Sequence, residues 1–81
     1  MRVTVLLFAA ARDAACASDA QLELGAGARA ADALDAACVR FPALCPLRPS
    51  LQLAVNERYA QADAPLAEGD VVALIPPISG G

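Results

Sequence analysis

Only one stretch of this chain has the apolar spacing of a long helix, and strand-like runs flank it on both sides. Between Ala28 and Phe41, Leu34, Cys38 and Phe41 recur at i, i+4 and i+7, and Ala30, Ala31 and Ala37 widen the stripe. Arg29, Asp32 and Asp35 are left for solvent, and Arg40 stands near the C-terminal end, where a cation suits the helix dipole. Gly27 is the only N-cap candidate, because no Ser or Thr stands there. Pro42 has no amide hydrogen and ends the helix.

The remaining elements read as short strands. Arg2 to Ala9 is rich in β-branched and aromatic residues, and Gln21 to Leu24 alternates with period two until Gly25 and Gly27. Leu51, Leu53 and Val55 alternate in the same way. Asn56-Glu57 is a turn and Arg58 to Ala60 the return strand, since Asn tolerates left-handed geometry. Val71 to Ile75 is continuously apolar, the pattern of a strand buried on both faces. Ala11 to Ala20 reads as a loop with room for one helical turn, and Pro42 to Ser50, with three prolines, as a connector. This order predicts an α+β domain in which a mixed sheet of four to five strands carries one main helix across one face.

Composition narrows the chemistry. The 81 residues are enough for one domain. Hydrophobic residues make up 58%, but Ala supplies 21 of those 47, so 26 larger apolar side chains and cysteines remain for a core. No apolar run approaches the ~20 residues of a membrane span. That argues against a membrane partner, and the net charge of −3, with no basic excess to neutralise phosphates, argues against nucleic acid. There is no His, so the usual general base near neutral pH is missing, and no Lys to form a Schiff base or accept an isopeptide bond.

Cys16, Cys38 and Cys45 form no C-x-x-C pair and fit zinc poorly, so no metal site is expected. Cys38 reads as a small core hydrophobe, with Cys16 and Cys45 in loops. The odd cysteine count favours a reducing cytoplasm. The apolar run after Met1-Arg2 resembles a short signal peptide, but Arg12-Asp13 puts charge where small neutral residues are wanted, and a strand is the better reading.

The most informative residues are the last six, Pro76-Pro77-Ile78-Ser79-Gly80-Gly81. Two prolines stiffen the exit from a strand. Two glycines without Cβ atoms can thread a narrow channel and present the α-carboxylate at its end. A stiff segment followed by a slim one suits a carboxylate delivered into another protein's active site.

Ala54-Val55-Asn56, Pro65-Leu66 with Glu68-Gly69-Asp70, Val72-Ala73 and the Pro-Pro-x-x-Gly-Gly tail together resemble the small subunits of molybdopterin synthase. The likeness covers the whole chain, and the Pro-Pro step tilts the choice toward these proteins over others ending in Gly-Gly. It implies a ubiquitin-like β-grasp domain over residues 1–75 and a flexible tail over residues 76–81. Gly81 would be adenylated by an ATP-dependent adenylyltransferase and loaded from a persulfide donor as a thiocarboxylate. In the large subunit of an α2β2 complex, its sulfur would pass to cyclic pyranopterin monophosphate to build the dithiolene.

On this resemblance Pro76, Pro77, Ile78, Ser79 and Gly80 would insert with Gly81, and no cofactor would be held permanently. Phe8, Tyr59, Leu74 and Ile75 would be candidate partner contacts, although position 59 is often aliphatic and position 75 often aromatic in such proteins. Sulfur carriers of thiamin synthesis or tRNA thiolation, ubiquitin-like modifiers and a plain interaction module are the alternatives.

Overall fold

The computed structural model describes residues 1–77. Five strands form one sheet: β1 (Arg2–Leu7), β2 (Asp19–Glu23), β3 (Gln52–Val55), β4 (Arg58–Ala60) and β5 (Val71–Ile75), in the order β2-β1-β5-β3-β4. The central pair β1–β5 is parallel, while β1–β2, β3–β5 and β3–β4 are antiparallel. The first and last strands therefore meet in the middle, and the sheet is mixed as expected. No helix among the described residues is long and apolar enough to cross a membrane.

The long helix, α2 (Ala30–Arg40), lies on one face of the sheet. Its contact line is Ala30, Ala33, Leu34, Ala37 and Cys38, all buried. Small side chains here let the helix axis approach Val3, Val5, Leu7, Val72 and Leu74 of the two central strands closely. Ala31 and Phe41, expected in this stripe, are only half-buried, because Ala33 takes the place of Ala31 on the contact line.

The helix starts two residues later than its apolar pattern suggests, and its N-cap is Arg29, not Gly27. Gly27, with φ of 82°, belongs to the preceding turn. An Arg side chain has no acceptor to offer, so the first amides are satisfied by a distant loop. Ala30 and Ala31 donate to the carbonyls of Ala64 and Ala62, both at 2.8 Å. The Asp32 carboxylate accepts the Arg29 amide at 2.8 Å, and the Arg29 guanidinium donates to the Asp63 carbonyl at 2.7 Å. Residues 62–66 are thus fastened to the start of α2.

Two connectors are helical. A seven-residue helix, α1 (Ala9–Ala15), occupies the expected loop between β1 and β2, and Cys16 caps it in left-handed geometry. Pro42–Ser50 forms a 3₁₀ helix in which Leu44 is fully buried, so Cys45 lies on a helical turn, not in a loop. Short i→i+3 turns tolerate proline better than an α-helix does, since fewer amides are needed as donors. β5 alternates between buried Val72 and Leu74 and half-buried Val71, Ala73 and Ile75; among the described residues only one of its faces is covered.

Candidate functional site

The uncovered sheet face and the exit of β5 lie together. Leu7 pairs with Leu74 and Gln52 with Ile75, so the end of β1 and the start of β3 flank the point where the chain leaves the sheet at Pro76. Ile78, Ser79, Gly80 and Gly81, the expected transfer residues, lie outside the described residues. Pro76 and Pro77 carry no regular secondary structure.

Leading to that exit is an apolar depression of about 260 Å³ lined by Leu6, Phe8, Ala54, Glu57, Tyr59, Val71, Ala73 and Ile75. Phe8 and Tyr59 are 45% and 74% exposed, high values for aromatic side chains. Three of the expected contacts, Phe8, Tyr59 and Ile75, are thus brought onto one surface. Leu74 is not among them: it is fully buried and points into the core beneath α2. Sequence reasoning missed Leu6, Ala54, Val71 and Ala73. Their signal was the period-two phase opposite to the core residues Val5, Leu53, Val72 and Leu74, apolar where a solvated face would be polar. A larger groove of about 650 Å³ runs beside β4 and α2 and shares Tyr59 with this depression.

The other end of β5 is held by side chains. Asn56 and Glu57 have φ of 51° and 70°, the expected tight turn between β3 and β4. The Asn56 side-chain amide donates to Asp70 at 3.0 Å, and its oxygen accepts the Val71 amide at 3.0 Å. Asp70 also accepts the Ala67 amide at 2.8 Å. The hydrogen bond from Asn56, then that from Ala67, holds the Asp70 carboxyl below its ordinary value. This clasp fixes the start of β5, and hence the register that delivers Ile75 and Pro76 to the opposite end.

A mixed sheet with its terminal strands paired at the centre, a helix on one face and an open apolar face beside the C-terminal exit defines a ubiquitin-like β-grasp protein. A family model described as the ThiS family matches residues 5–81, and the chain belongs to that family. The molybdopterin synthase sulfur carrier subunit of Arabidopsis thaliana is 38% identical over 81 residues, covering all of this chain and 84% of its own length. SAMP1 from Haloferax volcanii superposes over the whole of both chains with a TM-score of 0.92 and 28% identity. A chain of the protein–protein complex of subunits 1 and 2 of the molybdopterin-converting factor from Helicobacter pylori shares the fold, with a TM-score of 0.72 and 23% identity over both full chains.

Proposed function

We propose that this chain is a sulfur carrier of molybdenum cofactor biosynthesis, acting as the small subunit of a molybdopterin synthase in the cytoplasm. The observation that carries this reading is full-length similarity to relatives named molybdopterin synthase sulfur carrier subunit, with the family match running through Gly81.

A carboxylate is a poor electrophile. Adenylation of Gly81 by an ATP-dependent partner makes its oxygen a leaving group, and sulfur from a persulfide donor then yields a thiocarboxylate. Its soft, ionised sulfur is the nucleophile that attacks cyclic pyranopterin monophosphate in the large subunit. The chain has no His and no Lys, so acid–base groups come from that partner. On its own the chain is a recycled co-substrate and holds no cofactor. The open face of Phe8, Tyr59 and Ile75 docks the partner. Pro76 and Pro77 limit the entropy lost as Ile78, Ser79, Gly80 and Gly81 are threaded inward. Two carriers serve two large subunits in an α2β2 assembly.

Reconstitution with a large subunit, the activating enzyme and a sulfur donor tests the reading. The intact chain is expected to support dithiolene formation, and a chain lacking Gly81 to fold but to transfer no sulfur; an active truncated chain contradicts the proposal. A second reading has its own support, since the Haloferax volcanii neighbour is named a small archaeal modifier protein. Stable adducts joining Gly81 to lysines of other proteins in cells would favour it.

A further inference from the structure

Two thiols stand outside this role. Cys38 lies in the last turns of α2 and is buried, while Cys45 is exposed on the 3₁₀ helix that packs back against α2 after Pro42. The Cys45 thiol donates to the Cys38 carbonyl, with Sγ 3.9 Å from the oxygen. Arg48 is three residues beyond Cys45, one 3₁₀ turn, and so lies on the same side. Its guanidinium pairs with the Asp35 carboxylate of α2, which sets a cation beside this stretch of the helix. Cys16 is engaged elsewhere, donating to the Asp13 carbonyl.

We propose that Cys38 and Cys45 form a dithiol site that a hydroperoxide converts into an intrachain disulfide. The pair combines an exposed cysteine, a buried partner whose carbonyl it contacts and a cation one 3₁₀ turn beyond. Cys45 reacts first because it is the exposed one. As thiolate it attacks the terminal oxygen of the hydroperoxide; the O–O bond breaks, the alkoxide takes up the proton that Cys45 gave up and leaves as the alcohol, and Cys45 becomes a sulfenic acid. Cys38 then attacks the Cys45 sulfur, the S–O bond breaks, and water departs with the Cys38 thiol proton. Two thiols lose two electrons, and the hydroperoxide is reduced to alcohol and water.

The environment of Cys38 suits the second step. Burial, then its contact with Cys45, raises its pKa, which makes it the slower thiol toward free oxidant. The Arg48 guanidinium works in the opposite direction and stabilises the Cys38 thiolate as it forms. The site lies on the helix side of the sheet, away from Phe8 and Tyr59, so closure leaves the open face uncovered.

Exposing the folded full-length chain to hydrogen peroxide and counting thiols after denaturation tests this. The count is expected to fall from three to one and to return with a thiol reductant. Trypsin cuts after Arg40 but not at Arg48-Pro49, so the bond should appear as peptide 30–40 linked to peptide 41–58. Cys16→Ser should still form this link, and exposed Cys45→Ser should fold and lose it. Survival of all three thiols, linkage through Cys16 between chains, or over-oxidised Cys45 beside free Cys38 would overturn the proposal.

Discussion

Replacing Tyr59 by Ala separates docking from folding. A tyrosine covers about 150–250 Å² when fully buried. With 74% of the residue exposed, folding has covered on the order of 50 Å² and leaves on the order of 150 Å² for a partner. At ~25 cal/mol per Å², that is about 1 kcal/mol for the fold and about 3–4 kcal/mol as a ceiling for docking. Interfaces realise only part of such a ceiling, so a loss of about 2 kcal/mol in docking is expected, roughly 30-fold in Kd. Calorimetric titration against a molybdopterin synthase large subunit reads the first quantity, and urea unfolding of the free chain the second. The reasoning fails if affinity is unchanged, or if unfolding free energy drops by about 3 kcal/mol, as it would for a core aromatic.

Other outcomes follow from the same geometry. Leu44→Ala should cost about 2–5 kcal/mol in urea unfolding, because the 3₁₀ helix hangs on this one fully buried side chain; a loss under about 1 kcal/mol would remove it from the core. Asn56→Ala should cost about 1–2 kcal/mol by deleting two hydrogen bonds at the start of β5. Since folding lowers the Asp70 pKa, the stability it contributes is present above the ordinary value of 3.8 and is lost as pH falls below it. Unfolding followed across that window should show a smaller acid-dependent loss in Asn56→Ala than in the parent chain, and equal losses would dismiss the clasp.

How much could be read from the residues alone depended on what satisfied each element. The strands and the Asn56-Glu57 turn were legible because alternation and left-handed tolerance are local properties. The body of α2 was legible too, but its start was not: the capping partners of Ala30 and Ala31 come from residues 62 and 64, remote in sequence. The seven-residue α1 has no side-chain cap, and Ala-rich segments carry little periodic signal, so it read as a loop. Prolines 42, 46 and 49 masked the 3₁₀ helix by suggesting a plain connector.

Val71 to Ile75 was the instructive case. An unbroken apolar strand implies cover on both sides, and among the described residues only one side has it. Apolar residues do not state whether a helix or another protein covers them. The same ambiguity placed Leu74 with Ile75 among the partner contacts, although adjacent strand residues face opposite ways. The tail's role rested on its glycines and its place at the end of β5, not on any feature of the folded domain.

The central claim is that Gly81 carries sulfur. High-resolution mass measurement of the chain from cells containing its activating enzyme, with the C-terminal peptide fragmented before and after thiol alkylation, tests this most directly. Oxygen replaced by sulfur, confined to Gly81 and trapped by the alkylating reagent, is the predicted result. A Gly81 that stays a plain carboxylate beside a competent activating enzyme would contradict it.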